Sequence, residues 1–556
     1  MRFLWRELRP LLGYIAAFSF VINVLFLVPA VFMLQVFDRV LPSRSQETLI
    51  VLLAGTGVAL LILLLLDYVR NRLQNVLGNI VDERLSPPVV HAIVAKAARA
   101  PQTARTEHIR DVAVLRNVFS SNALIALFDA PWVVVYVLVI WAFHPALGMG
   151  AAVASAIMLL LAWLNDVVSR GAMEDLQQEA RGATRYVESS LRNAEVLQAL
   201  GMTETLLERW RSLQDRVMTL QTSSSRRSVA FTAMTRCFRQ AVQILMLALG
   251  AYLVLTEHAS PGIMIATTIL LGRAVQPVEQ LVGSWRILID ARAAYHRLRD
   301  LAHDFDARAK RVKLPRPQGR LIVEGLSYRA PSLEKMILAN ITFDLAPGEA
   351  LAVVGPSAAG KSTLARLLTG VWVPTTGTVR LDGADVAYWP RKDLGPSIGY
   401  VPQDVELFDG SVADNIARLG TVDSDAVVSA ATRAGAHEMV LSLPEGYDTP
   451  VGEHGARVSP GQRQRIALAR ALYGNPRLVV LDEPNSNLDG EGEVALAQAL
   501  VRLRADRVTS IVVTHRPSLI AHVDKVLVLK AGRVQHFGPA SEVLNSLPRR
   551  AAARAA

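Results

Sequence analysis

One cysteine, Cys237, stands in a chain of 556 residues. The protein can therefore form no internal disulfide, and its fold does not lean on oxidation. In its apolar setting that cysteine reads as a small packing residue rather than a reactive thiol. Charge is also scarce: 19% of residues are charged against 51% hydrophobic, a high apolar share for a soluble enzyme. What charge there is leans positive, at a formal net +10, with arginine preferred. No basic block with interleaved aromatics occurs, so positive charge flanking a membrane fits better than nucleic-acid binding. The first apolar run does not read as a removable signal peptide: it is too long, and no small-residue cleavage site follows it. The final "LPRRAAARAA" reads as a frayed tail.

The apolar excess is concentrated in the first half. A membrane-crossing helix needs about 20 predominantly apolar residues. Six windows approach or reach that length: Leu11 to Leu34, Thr48 to Leu66, Ala123 to Phe143, Leu147 to Leu164, Ala241 to Leu255, and Ile263 through Leu271 toward Val275. Arg2, Arg6 and Arg9 precede the first, the connections after the second and fourth are long and arginine-rich, and the turns after the third and fifth lack Lys and Arg. That alternation places the amino terminus and the long connections in the cytoplasm. The long connections keep apolar residues at spacings of three and four, as in "MEDLQQEARGATRYVESSLRNAEVLQALG". The spacing predicts membrane helices extended into the cytoplasm, with separate interfacial amphipathic helices as the alternative. From residue 301 to 320 the chain is charged and proline-punctuated, which marks a linker between a domain at 1–300 and another at 321–556.

The second half has the pattern of a globular nucleotide-binding domain. "ALAVVGPSAAGKSTLARLL" is an apolar run, a glycine-bearing loop and a helix. Gly355, Pro356, Ser357, Ala358, Ala359 and Gly360 form a loop whose N–H groups can face a phosphate at a helix start. Lys361 would reach the β- and γ-phosphates, Ser362 would ligate Mg²⁺, and Thr363 continues the helix. "PRLVVLDEPNSNLD" is a buried-strand pattern that delivers two acids at its carboxyl edge. Adjacent strand residues point to opposite faces, so two roles fit: Asp482 for Mg²⁺ and Glu483 for polarising the attacking water.

With those residues on view, nearly the whole chain resembles the ATP-binding cassette transporters. The order is phosphate loop, glutamine loop, signature, acid strand, histidine. "VSPGQRQRIALARAL" resembles the family's signature through Ser459, Gly461 and Gln462. The resemblance implies that Gln403 senses Mg²⁺, that Tyr328 stacks on adenine, that Asp489 belongs to the D-loop and that His515 contacts the γ-phosphate. It also places Glu453 and Gly455 in a short loop that touches the opposite subunit in exporters. Pro460 departs from the family's usual glycine. Proline suits a first helical turn, so a tolerated variant is one reading; loss of its N–H and slower turnover is the other. The implied fold is an all-α membrane domain of six helices plus an α/β P-loop cassette, using ATP and Mg²⁺. With one cassette per chain, the implied assembly is a homodimer with two hydrolytic sites.

Within that family the membrane half is similar to exporters of type I secretion systems. "VFMLQVFDRVLPSRSQETL" and "LFDAPW" carry the similarity. The first span starts at Leu11, which leaves no room for an amino-terminal peptidase domain, so no leader cleavage is expected. The resemblance to the protease- and lipase-secreting subgroup implies unfolded polypeptides with an uncleaved C-terminal signal. It also implies a periplasmic adaptor, an outer-membrane channel and a Gram-negative inner membrane. A lipid or small-molecule exporter would share the same motor. A cassette ATPase of repair or translation is disfavoured by the apolar runs, and a dead nucleotide site by Lys361, Glu483 and His515. Asp129, at the mouth of span three beside Pro131, has two readings: a group on the transport path, or an acid paired with Arg116 or another arginine for structural reasons.

Overall fold

The computed structural model describes residues 2–99, 107–191, 193–306, 314–330 and 335–546. The expected C-terminal tail and residues 307–313 of the expected linker lie outside the described residues. The chain divides into two compact units, one ending at Phe305 and the other running from Asp306 onward with Ala95–Thr103.

The first unit is all helix. Among the described residues, five of its helices are long and apolar enough to cross a membrane, or six if a bent pair counts as one span. The window expected as span three is instead two helices, Asn122–Asp129 and Trp132–Phe143. Pro131 lacks the N–H for an i−4 bond and interrupts the ladder there. Ala130 and Pro131 nonetheless keep right-handed helical torsions, with φ −56° and −60°. The path therefore continues from Asn122 to Phe143, a rise of about 33 Å, which matches a hydrocarbon core. Span one also breaks: helix Arg2–Leu25 turns at Phe26 and Leu27, resumes as Val28–Gln35, and widens into a π-turn at Val36–Val40.

Four helices outrun any bilayer: Gln46–Arg99, Pro145–Leu191, Thr203–Leu255 and Pro261–Asp306. The first has 54 residues and is roughly 80 Å long at about 1.5 Å per residue. The extended-helix expectation describes these elements. The last helix runs to Asp306, so residues 301–306 are helix and not linker. Large apolar side chains on Gln46–Arg99 point outward, among them Val51 at 71% exposed, a surface that water would not tolerate. The inner faces pack in two large clusters and a small third one of Leu176, Ala183 and Val217. One centres on Tyr136, Ile140, Leu147, Met158, Met246 and Leu270. The other centres on Ile15, Leu77, Val81, Leu115, Ala294 and Leu298. Cys237 is exposed on Thr203–Leu255, contrary to the packing role read from its apolar neighbours; periodicity did not show which face of that helix it occupies.

The second unit is α/β. A four-stranded antiparallel sheet is ordered β2 (Met336–Leu345), β1 (Leu321–Arg329), β4 (Thr376–Leu381), β5 (Ala384–Asp385). A six-stranded sheet is ordered β10 (Arg533–Pro539), β9 (Lys525–Lys530), β3 (Ala350–Val354), β8 (Thr509–Val513), β7 (Leu478–Asp482), β6 (Ile398–Val401). Its neighbours from β9 to β6 pair in parallel. Strands β3, β7 and β8 are buried at every position, which explains why they read as unbroken apolar runs rather than alternating ones. Three adjacent parallel strands, β3, β8 and β7, thus end at the same edge.

Candidate nucleotide site

That shared edge assembles the cleft. After β3 the chain turns through Gly355, Ala358 and Gly360, all with positive φ, before helix Lys361–Leu368 begins. A side chain at Gly355 would lie 2.2 Å from the Leu529 carbonyl oxygen, so this position admits only glycine. Lys361 folds back over the loop and donates to the Gly355 and Pro356 carbonyls at 2.8 and 3.2 Å. Burial holds its ammonium below the usual lysine range, opposed by Glu483 and Asp482.

Asp482 ends β7 with no exposed surface. Its Oδ1 accepts from Ser362 Oγ at 3.2 Å, and among the described residues its buried Oδ2 has no hydrogen-bond partner. Burial pushes the Asp482 carboxyl up, while the Ser362 hydroxyl pulls it down. Ser362 Oγ also donates to Gln403 Oε1 at 3.3 Å. Glu483 follows at φ +49°, a left-handed conformation unusual for a residue with a side chain. Its carboxylate turns away from Asp482. It accepts from Gln403 Nε2 at 3.2 Å and sits 3.6 Å from His515 Nε2 beyond the end of β8. Burial first, and Lys361 second, hold His515 below the ordinary histidine range. Glu483 lies past the end of β7, so its direction is set by that left-handed turn and not by the strand parity expected from the sequence. A cleft of about 400 Å³ opens over Ser357, Ala358, Gly360, Lys361, Thr363 and Glu483. Ile337 also lines it; no motif marked that residue. Arg366, one turn on from Lys361, lies close enough to Asp482 to act on its charge.

Tyr328 does not lie here. It is 6% exposed in β1 and its ring stacks on Trp372 at 5.1 Å between centroids. Bulges in the β1 register let three successive residues, Leu326 to Tyr328, all be buried. The aromatic that the resemblance placed on adenine is thus a core residue.

The signature residues form a second pocket of about 750 Å³. Ser459 caps helix Pro460–Leu472 with a reciprocal pair: Gln462 N donates to Ser459 Oγ, and Ser459 N to Gln462 Oε1. Pro460 occupies the first turn, where an N–H has no intrahelical acceptor. Asp489 caps helix Gly490–Ala505 and accepts from Arg465 at 2.7 Å. The Gly492 N–H, then the Arg465 guanidinium, hold its carboxyl below the usual range. Glu453–Gly455 is a short 3₁₀ turn. The fold thus divides the expected set. Gly355 to Thr363, Gln403, Asp482, Glu483 and His515 gather at the strand ends, while Ser459, Gly461, Gln462 and Asp489 line a separate pocket.

Asp129 sits in the helical unit, buried at 7% exposure. Its Oδ1 accepts from Asn23 at 2.7 Å, and Arg70, not Arg116, approaches its Oδ2 at 3.6 Å. Tyr136 donates to the Asn23 carbonyl at 2.9 Å. Asp67 holds Arg70 from the other side at 2.6 Å. Arg116 faces Asp82 instead, at 4.0 Å. Nothing in the sequence signals a pairing between residues so far apart in the chain.

Comparison with known proteins agrees with this geometry. Family models described as "ABC transporter transmembrane region" and "ABC transporter" match residues 12–278 and 338–486. The chain is 40% identical to the type I secretion system ATP-binding protein PrsD of Rhizobium meliloti, over 98% of this chain and 94% of that protein. It is 28% identical to the leukotoxin export ATP-binding protein LtxB of Aggregatibacter actinomycetemcomitans, over 95% of this chain and 75% of that one. The fold matches the structure of a bacterial Atm1-family ABC exporter with ATP bound, at TM-score 0.83 and 22% identity, covering 97% of this chain and 96% of that one.

Proposed function

Because the chain belongs to the ABC transporters and, within them, to the ATP-hydrolysing exporters of type I secretion systems, we propose that it drives unfolded polypeptides carrying an uncleaved C-terminal signal across the inner membrane of a Gram-negative bacterium. The observation that carries this reading is the 40% identity, over nearly the whole of both chains, to a type I secretion system ATP-binding protein; the Lys361–Asp482–Glu483–His515 cluster and the membrane helices supply the motor and the path. The proposed partners are a second copy of the chain, a periplasmic adaptor and an outer-membrane channel. The amino terminus and the cassette, residues 321–556, are assigned to the cytoplasm by the arginine-rich connections.

Ser362 Oγ, Gln403 Oε1 and Asp482 Oδ1 converge as hard oxygen donors, and the unpartnered Asp482 Oδ2 leaves acceptor capacity to spare. That set fits Mg²⁺, which when bound would neutralise phosphoryl charge. The loop N–H groups and Lys361 bind and orient the triphosphate. Glu483 Oε accepts a proton from the water that attacks the γ-phosphorus as ADP leaves, and His515 contacts the γ-phosphate oxygens and fixes the Glu483 carboxylate. Ser459 and Gly461 close the site from the second copy.

The test is ATPase activity of the full chain in nanodiscs, titrated with the C-terminal segment of a candidate secreted protein, a polar tail that stays unfolded. A rate that responds to the tail and falls about 10²- to 10⁴-fold in Glu483→Gln is expected. A rate that responds only to lipid or small amphiphiles would overturn polypeptide export and leave the ATPase standing.

A further inference from the structure

Glu483 carries two conformational penalties at once. Its φ of +49° is left-handed, and it precedes Pro484, whose ring crowds the residue before it toward an extended shape. Such a backbone persists only where its surroundings hold it from more than one side. On one side Glu483 N donates to the Val513 carbonyl at the end of β8, at 3.0 Å. On the other, the Pro484 carbonyl accepts Gln464 Nε2, also at 3.0 Å. Pro484 is buried and its ring fixes φ, which leaves one torsion fewer to absorb a displacement before it reaches Glu483.

Gln464 does not line the cleft. It belongs to helix Pro460–Leu472, whose amino end lines the second pocket. It is 2% exposed, and among the described residues its Oε1 has no hydrogen-bond partner. A buried amide with one end unanswered is destabilising, so its bond to Pro484 is what the amide supplies there. The next residue, Arg465, takes Asp489 at 2.7 Å. Two consecutive residues of one helix thus hold the segment from Pro484 to Asp489 at both ends, and that segment starts at the carboxylate that polarises water.

We propose that Gln464 is the positioning residue for Glu483 of its own chain: through the Pro484 carbonyl it fixes the left-handed turn that aims the carboxylate. The role rests on Glu483 as the group that takes the proton of the attacking water. It gives one helix two duties. Its first turn closes the ATP site of the other copy, and its second turn sets the base of its own.

Gln464→Met tests this. It keeps the length, drops the donor and removes the unanswered Oε1, and a cavity of about 10 Å³ beside the amide takes up the difference in shape. Its thermal melting should stay near the parent's; Gln464→Asn, which keeps the amide but shortens its reach, takes its place if the methionine variant does not assemble. The readout is ATPase activity of the full chain in nanodiscs. We expect kcat to fall about 10- to 100-fold, the scale of a misplaced reacting group, with the KM for ATP within about twofold. In the Glu483→Gln background the same change should add less than about twofold to the loss, because no carboxylate is left to aim.

Mixed dimers separate positioning from support of the helix. Where one chain carries Lys361→Ala and the other Ser459→Arg, the one whole site takes its Glu483 from the Ser459→Arg chain and its signature from the Lys361→Ala chain. Gln464→Met in the Ser459→Arg chain should give the full loss, and in the Lys361→Ala chain less than about twofold. Equal losses in both placements, or the larger loss in the Lys361→Ala chain, would overturn the positioning role. So would an unchanged kcat in the Gln464→Met homodimer while Glu483→Gln loses activity. If the mixed dimers hydrolyse nothing, the homodimer and the Glu483→Gln background decide. A Glu483→Gln chain that keeps its rate would sink the base reading and the positioning role together.

Discussion

The segment "VFDRV" offers a sharp test of the membrane unit. Its π-turn, Val36–Val40, points Asp38 at the start of helix Pro261–Asp306. Asp38 Oδ1 accepts the Gly262 N–H at 2.9 Å, and Oδ2 accepts the Ser260 hydroxyl at 2.5 Å. Ser260 Oγ in turn accepts from Ile263 N at 3.2 Å. The acid of one helix thus caps the amino end of another, where the helix dipole also favours it. A Cβ at Gly262 would lie 2.6 Å from the Asp38 carboxylate carbon and both its oxygens. Gly262→Ala must therefore expel Asp38 and break both bonds. Asp38 is exposed, so each bond is discounted from the charge-assisted range to about 0.5–1.5 kcal/mol, which gives a loss of about 1–3 kcal/mol for either Gly262→Ala or Asp38→Ala. The double variant should cost little more than either single one, a coupling about equal to one single cost, about 1–3 kcal/mol. The assay is unfolding by SDS titration in mixed micelles, followed by tryptophan fluorescence. Additivity within about 0.5 kcal/mol would refute the clasp, because it would mean the glycine and the acid act independently.

Four further outcomes follow from the same geometry. Tyr328→Phe should leave the KM for ATP unchanged, while Tyr328→Ala should destabilise the cassette unit by about 3–5 kcal/mol as a core truncation; a raised KM in Tyr328→Phe would return the residue to the nucleotide. Asp129→Asn should destabilise less than Arg70→Ala, since Asp67 keeps Arg70 paired when Asp129 is neutralised; denaturant titration ranks them. His515 has a folded pKa below its unfolded value, so the unfolded chain binds more protons between those two values. Its contribution to stability is present above about pH 6.5 and is lost as pH falls through the folded pKa; thermal melts of His515→Asn against the parent should show a smaller acid-side loss in the variant. Pro460→Gly should change ATPase activity by less than about threefold, since proline sits at a helix start without strain, and a gain of tenfold or more would show that its missing N–H limits turnover.

The cassette was legible in the sequence because its chemistry is local. Loop, lysine and serine are contiguous, and the two acids share one strand end, so period and motif alone place them. Tyr328 was misread because the resemblance matched an aromatic by its place in the chain and could not show which way its side chain points, which the bulges in β1 set. Span three reads as one window in the sequence, and whether its helix path continued through Pro131 depended on neighbouring packing. The Asp129 partner was one of several arginines until the fold brought Arg70 beside it, and Asp38 had only a family resemblance to recommend it. Long-range polar pairs leave no periodic trace, so the membrane cluster was the least legible part.

The division of the nucleotide residues between two pockets bears directly on assembly. One chain holds a phosphate-loop cleft and a signature pocket with no lining residue in common. If ATP needs both, each site takes one half from each copy, and the arithmetic of mixed dimers becomes diagnostic. In a dimer of a Lys361→Ala chain with a Ser459→Arg chain, both defects fall in one site and the other site is whole. Each variant alone should be inactive. An equal mixture assembles about half its dimers as the hybrid, each with one intact site, so activity should recover to about a quarter of the parent's if the sites act independently. A chain carrying both substitutions, mixed with the parent chain, gives hybrids in which each site has one defect, so only the parent dimers contribute. Lys361→Ala and Ser459→Arg chains that stay inactive when mixed, although the hybrids can be isolated, would mean that the two sites must fire together or that each pocket works within its own chain. Isolated hybrids that bind one equivalent of ATP without turnover would select the first; hybrids that bind none would select the second.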